Sequence, residues 1–243
     1  MGIKDFFAKL FYNNVYYDKW TCCSCGCEIF NDKYFCDDCI KELKFNDKCI
    51  CAHCGRQTLS PEEYCLTCKE TLLSIDRARS VFCYEGRVKS LVKRMKHPNN
   101  AYLTDVFSWY LSGLYFRNLF ACDFVSFVPM TKKRFSKRGG YNHGKVLAEK
   151  FAKHVNLSVL DVLIKSKETK KQALLSRKDR MKNVKGSFKV KDKKLVKDKR
   201  IVLIDDVTTT GATAEEIASV LKKAGAKEVI LLTVASVKSK NCI

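Results

Sequence analysis

Eight cysteines in four C-x2-C pairs, laid out twice with the same spacing, restrict what the first seventy residues of this chain can become. Cys22-x2-Cys25 is followed after ten intervening residues by Cys36-x2-Cys39, and Cys51-x2-Cys54 is followed after ten by Cys65-x2-Cys68. The second set repeats the first at an offset of 29 at all four positions. Two thiolates in such a knuckle converge on one metal, and a second knuckle completes a closed tetrahedral site with Zn–S near ~2.3 Å. A closed site has no open position for water, so the spacing predicts two structural Zn2+ ions. They would hold together a segment too short to build a core of its own. Sequential pairing of the knuckles is the simplest arrangement, and interleaved pairing fits the sequence as well. Cys23, Cys27 and Cys49 have no counterpart in the repeat and read as spare thiols; His53 lies inside the second knuckle, and the cysteines are preferred to it as ligands.

Fourteen cysteines without an export signal favour metal chemistry over structural disulfides. The start, Met1 to Tyr17, is aromatic and interrupted by Asp5, Lys9 and Asn13, and it lacks the regions of a signal peptide. Phe6, Phe7, Leu10 and Phe11 read as a short helix packed on the cysteine module in preference to a membrane-surface helix. No apolar run approaches the length that spans a bilayer, so the expectation is a cytoplasmic protein without a membrane partner. The formal net charge of +20 is uneven. Residues 131–200 hold 24 Lys and Arg against six Asp and Glu, a local excess of +18. Such a surface suits a polyanion, because neutralising phosphates releases their counterions; a solubilising surface is the alternative.

Beyond residue 72 the periodicity changes. Val88, Leu91, Val92 and Met95 recur at helical spacing, with Lys89, Lys93, Arg94 and Lys96 on the other face. Phe124 to Val128 reads as a buried strand, and Asn142 to Val155 as a helix with Val146, Leu147, Phe151 and Val155 inward. Ile201 to Ile204 suits a central parallel strand and Val229 to Val234 another. Between them Thr213 to Ala224 reads as a helix, with Thr213 and Glu216 at capping-box spacing and Gly225 past its end. Alternating strands and helices predict an α/β fold with a parallel sheet, occupying 73–243 behind a small cysteine module at 1–72.

The segment Ile201-Val-Leu-Ile-Asp205-Asp206-Val207-Thr208-Thr209-Thr210-Gly211-Ala212-Thr213 carries the chemistry. A strand delivers two adjacent carboxylates, and a hydroxyl-rich turn then opens directly into a helix. Helix N-terminal N–H groups and threonine hydroxyls make a cradle for a phosphate. The carboxylates can accept hydrogen bonds from vicinal sugar hydroxyls, at the strand end where open α/β sheets bind ligands. Were it only a polar turn, two consecutive acids at a buried strand end would be an unexplained desolvation cost.

This segment resembles the phosphoribosyl pyrophosphate (PRPP) motif of type I phosphoribosyltransferases. Further blocks are similar to those of the ComF family: Arg138-Gly139-Gly140-Tyr141-Asn142-His143 with Leu147-Ala148, Met95-Lys96-His97, and Gln172-Ala-Leu-Leu175 followed by Arg180, Asn183-Val184-Lys-Gly186-Ser-Phe188. His143 stands where the family has glutamine, and Asn99-Asn100 where a Gly-Asp pair is usual. The resemblance implies a type I phosphoribosyltransferase-like fold, PRPP bound with Mg2+, and a role in natural transformation and DNA uptake. It gives Asp205 and Asp206 to the ribose hydroxyls, Thr208 to Thr213 to the 5′-phosphate, and Lys96 to the pyrophosphate. A DNA-uptake helicase is the partner that such a role implies, and the cysteine module with the basic surface would hold single-stranded DNA. No general base is recognisable, since Thr208 to Thr210 occupy the loop positions where purine-using relatives carry an acid. Two readings therefore stand: a phosphoribosyltransferase with an unknown acceptor, and a PRPP-responsive protein that holds single-stranded DNA. The run Lys189 to Arg200 reads either as a DNA contact or as a solvated loop or hairpin. Tyr34, Phe35, Phe45 and Tyr64 read either as base-stacking platforms or as the cysteine module's small core.

Overall fold

The computed structural model describes residues 20–30, 34–58, 64–70, 73–168 and 177–238. The amino-terminal helix over Phe6 to Phe11, the Gln172 to Leu175 block and the boundary at residue 72 lie outside the described residues. In chain order the elements are α1 (Asp37–Lys41), α2 (Leu66–Glu70), β1 (Arg77–Cys83), α3 (Gly86–Met95), a 3-10 turn (Pro98–Asn100), α4 (Leu103–Arg117) and β2 (Phe124–Phe127). They continue with α5 (Lys132–Lys137), α6 (His143–Val155), β3 (Leu163–Lys165), α7 (Arg177–Val184), β4 (Phe188–Val190), β5 (Arg200–Thr208), α8 (Ala212–Lys223) and β6 (Glu228–Ser236).

A four-stranded parallel sheet in the order β1-β6-β5-β2 is flanked by helices on both faces. The two-residue period of a strand sorts its side chains between the faces. Val202 and Ile204 of β5, with Ile230, Leu232 and Val234 of β6, join the core under α3, α4 and α6. Ile201 and Leu203, with Val229 and Leu231, join the other core under α8 and the antiparallel pair β3–β4. Helix α3 buries Val88, Leu91, Val92 and Met95, the four residues its periodicity selects. In α6 the inward face is His143, Leu147, Ala148, Phe151, Ala152 and Val155, and the expected Val146 is only half-buried.

The cysteine segment is folded as two copies of one unit. Cys22 N donates to Cys27 O at 2.7 Å and Cys51 N to Arg56 O at 2.9 Å, and the bridge Thr21–Glu28 repeats as Ile50–Gln57. In each copy the third cysteine's amide donates to the first cysteine's sulfur, at 3.3 and 3.2 Å. The first copy joins the main core: Cys22, Cys23, Ile29, Phe35, Cys39 and Leu43 pack in the cluster that holds Phe82, Phe107 and Leu111. Its knuckle is also held by α3, where Arg94 donates to Ser24 O at 3.2 Å and Arg87 to Ser24 Oγ at 3.3 Å.

The second copy closes the free edge of β1, which otherwise offers unpaired backbone groups. Ala78 N donates to His53 O at 2.7 Å, and Asn46 bonds Val81 O through its amide and Gly55 O through its side chain. Gly55 has φ +64, and a Cβ there would lie 2.3 Å from Ala78 O. Gly55→Ala combines left-handed strain with backbone overlap and is expected to cost about 2–4 kcal/mol. Urea unfolding and amide exchange at Ala78 check this; unchanged protection at Ala78 would refute the close docking.

Candidate functional site

The site lies where β5 delivers its last residues at the carboxyl edge of the sheet. Asp205 pairs in register with Thr233, and the carboxylates turn back on their own backbone: Asp205 Oδ1 accepts from Asp206 N and Asp206 Oδ1 from Val207 N, each at 2.8 Å. Thr208 to Thr210 then lead to Gly211, whose φ of +81 lets the chain turn into α8 at Ala212. The loop's amides therefore sit at the N-terminus of a twelve-residue helix. The expected capping box between Thr213 and Glu216 is not formed. Gly211 is the cap residue, which places Thr213 inside the first turn, and Glu216 instead accepts from Gly186 N at 2.7 Å. Glu215 accepts from the backbone N–H groups of Ser74 and Ile75, tying the helix start to the segment that enters β1.

Two further elements aim a cation and a ring N–H at Asp206. Lys96, at the C-cap of α3, is ion-paired with Asp206 Oδ2, and His143, the first residue of α6, places Nε2 3.4 Å from the same oxygen. Arg138 Nη1 lies 2.7 Å from His143 Nδ1. Guanidinium can only donate, so Nδ1 accepts and the ring proton sits on Nε2, facing Asp206. Burial holds His143 below the ordinary histidine range, in agreement with a neutral ring. Burial alone would raise Asp206, but the His143 N–H that faces it and the Lys96 charge outweigh burial and keep this carboxylate ionised. Asp205 is pushed well up, first by burial and then by the Asp206 charge beside it. One carboxylate is thus fixed as an anion while its neighbour favours its proton. Among the residues picked from sequence, the structure brings Asp205, Asp206, Thr208 to Thr213 and Lys96 to one edge. His143 and Arg138 join them; they had been noticed only as part of a family block.

The cysteines assemble as Cys22, Cys25, Cys36, Cys39 and as Cys51, Cys54, Cys65, Cys68, with each group's sulfur atoms within 4.8 Å of one another. This is sequential pairing. Crowding shows in the thiols themselves: hydrogen bonds from Cys54 and Cys68 hold Cys51 far down, while Cys68 is driven up by Cys51. Four thiols this close cannot all ionise unless a cation joins them, so either group could hold zinc. Cys27 is not remote from the first group, since its sulfur lies 3.3 Å from that of Cys25. His53 Nδ1 is 3.7 Å from Cys68 Sγ, outside the four-sulfur set.

Three of the four aromatics considered as stacking platforms serve the core. Phe35 is buried, and Tyr34 and Phe45 pack against the rings of Trp109, Tyr110 and Phe82; Tyr64 is exposed. The run from Lys191 to Lys199 is an exposed loop anchored by the fully buried Val196. No helix among the described residues is long and apolar enough to cross a membrane.

Residues 137–241 match the phosphoribosyl transferase domain family. The chain is 34% identical over 105 residues to Competence protein F of Haemophilus influenzae, covering 42% of this chain and 46% of that protein. It is 30% identical over 151 residues to Competence protein ComFC of Streptococcus pneumoniae, covering 62% and 64%. The matches thus span about half to two thirds of these relatives' length. A solved glutamine PRPP amidotransferase from B. subtilis overlaps 54% of this chain and 26% of its own, at 21% identity and a TM-score of 0.39. The phosphoribosyl transferase domain match, the competence proteins among its relatives and the doubled cysteine unit support the ComF family for this chain.

Proposed function

We propose that this chain binds PRPP at the β5–α8 loop and, with Mg2+, transfers phosphoribose to an acceptor in the service of DNA uptake. The observation that supports it best is the convergence of paired carboxylates, a helix-N-terminal threonine loop and Lys96 on one strand end. Asp205 and Asp206 would accept the ribose hydroxyls, as carboxylates held in place by their own backbone bonds. Residues 208–213 would take the 5′-phosphate through backbone amides and threonine hydroxyls. Lys96 would exchange its Asp206 partner for the pyrophosphate and stabilise charge on the departing group. Mg2+ bound with PRPP would supply further neutralisation of that group. His143, neutral and held by Arg138, would keep Asp206 oriented when Lys96 turns away.

A second reading, a non-catalytic PRPP-responsive protein that holds single-stranded DNA, draws on the charge run Lys189 to Arg200, whose loop at 191–199 is largely exposed, and on exposed Trp20 and Phe30. Zinc would be structural in either case, and a helicase of the uptake machinery would be the protein partner.

One experiment separates these readings. PRPP with Mg2+ is titrated by calorimetry into the wild type and the Asp205→Asn/Asp206→Asn variant, with released pyrophosphate assayed in parallel. Binding is expected for the wild type alone, and equal binding by both would overturn the assignment. Pyrophosphate release stimulated by an acceptor supports transfer; saturable binding without release, alongside salt-sensitive DNA binding, supports the second reading.

A further inference from the structure

The second cysteine unit does more than close the β1 edge: its Arg56 enters the wall of the loop site. A pocket of about 100 Å³ lies between the cysteine unit and the β5–α8 turn, lined by Cys54, Arg56, Met181, Thr208, Thr210 and Gly211 among others. Arg56 is 8% exposed, yet its Nε has no hydrogen-bond partner, and no described carboxylate forms an ion pair with it. Its Nη2 closely approaches the turn; a Cβ built on Gly211 would lie 3.3 Å from it. A buried guanidinium with unused donors costs free energy unless something engages it. What it faces is the threonine turn at the N-terminus of α8, the part of the fold where backbone amides gather for an anion.

The internal repeat supplies a control. The position that matches Arg56 in the first unit is Cys27, which is exposed and leans on its own cysteine group. The knuckle therefore needs no arginine there to fold. The two units share backbone geometry at this point, since Cys22 N bonds Cys27 O as Cys51 N bonds Arg56 O. The arginine is peculiar to the unit that borders the loop. Gly55 and the Ala78–His53 bond fix the knuckle against β1, so the guanidinium is placed by the scaffold and not by a flexible loop.

We infer that Arg56, carried on the second cysteine unit, is a phosphate-binding residue of the loop site, completing from outside the α/β sheet the cradle made by residues 208–213. It would give the 5′-phosphate charged donors that the loop lacks, since residues 207–213 contain no Lys or Arg. This rests on the PRPP reading above, and it makes the cysteine unit part of the ligand site.

The test uses the full chain as wild type, Arg56→Met and Arg56→Lys, titrated by calorimetry with ribose 5-phosphate and with PRPP and Mg2+. Zinc content and unfolding temperature are measured on each. Arg56→Met is expected to weaken both ligands roughly 10- to 100-fold, the loss of one or two charged hydrogen bonds. Arg56→Lys should recover part of that, without the forked geometry. Zinc content should equal the wild type's, and the unliganded unfolding temperature should not fall, because the arginine replaced has no protein partner for its Nε. Wild-type affinity in Arg56→Met would overturn the inference and leave the PRPP reading intact. An affinity loss that tracks lost zinc or lower stability would also overturn it, as a structural role. Failure of the wild type to bind either ligand would sink the PRPP reading, and the inference with it.

Discussion

Replacing Cys22 and Cys39 together with serine is expected to destabilise the whole sheet, not merely the cysteine segment. Both residues are buried, at 3% and 2%, within the same cluster as Phe82 of β1 and Phe107 and Leu111 of α4. With a zinc ion in the group, as proposed above, the variant loses the knuckle's closure, and structural zinc contributes on the order of 10 kcal/mol to folding such units. Only part of that reaches the α/β core, because Phe35, Ile29 and Leu43 retain apolar contacts of their own. A loss of about 5 kcal/mol would lower the unfolding temperature by roughly 10–20 °C for a chain of this size. The matching change in the second unit, Cys51→Ser/Cys65→Ser, should lower it less. Among the described residues, Cys51 and Cys65 are absent from both core clusters, and the unit's partners are chiefly the β1 edge and the loop pocket. That variant should lose ligand affinity out of proportion to stability. Metal content by mass spectrometry and calorimetric unfolding of both variants check the asymmetry, and equal shifts would contradict it.

The same contrast shows what the sequence carries and what it leaves out. The cysteine units and the β5–loop–α8 segment are legible because each is local: spacing fixes the one, and a strand running straight into a turn and helix fixes the other. Knuckle pairing was left open, since an offset of 29 constrains both copies alike and only the fold decides which sulfurs meet. Strand β1 carries a mixed pattern, RARSVFC, because its edge is covered by the cysteine unit and not by solvent or a further strand. Helix α4 is apolar nearly all round, lying between the sheet and the first cysteine unit, so no stripe announces which way it faces. The capping-box spacing at Thr213 and Glu216 misled for a physical reason: Gly211 in the left-handed region already starts the helix, which frees Glu216 for Gly186. Arg56 and His143 are single residues whose role comes from elements far away in sequence. No periodicity ranks them above any other arginine or histidine, and only His143 falls in a block that the sequence singles out.

The two adjacent carboxylates should respond to amidation with opposite signs. Asp206 is ion-paired with Lys96 and faces the His143 Nε2 proton, so Asp206→Asn leaves a partly buried ammonium without its counter-charge. The cost should be about 2–4 kcal/mol at neutral pH. Its folded pKa lies below the unfolded value near ~3.9, so the stability that it contributes is present above that value and is lost as pH falls towards the folded one. The gap between wild type and Asp206→Asn should therefore narrow on acidification. Asp205 has the reverse shift, raised by burial and by its charged neighbour. The folded state then holds the Asp205 proton more tightly than the unfolded chain, and stability drains away as pH rises above about 4 until the folded value is passed. Asp205→Asn removes that drain and keeps a carbonyl oxygen to accept from Asp206 N. It should stabilise the protein by about 1 kcal/mol at pH 7, with no gain at pH 4. Urea unfolding of both variants across pH 4–8 decides the matter. A destabilised Asp205→Asn at pH 7 would show that the charge is accommodated without strain. A stabilised one that no longer binds PRPP would place the ligand on the carboxylate that the fold tolerates least, as a binding site built against its own stability requires.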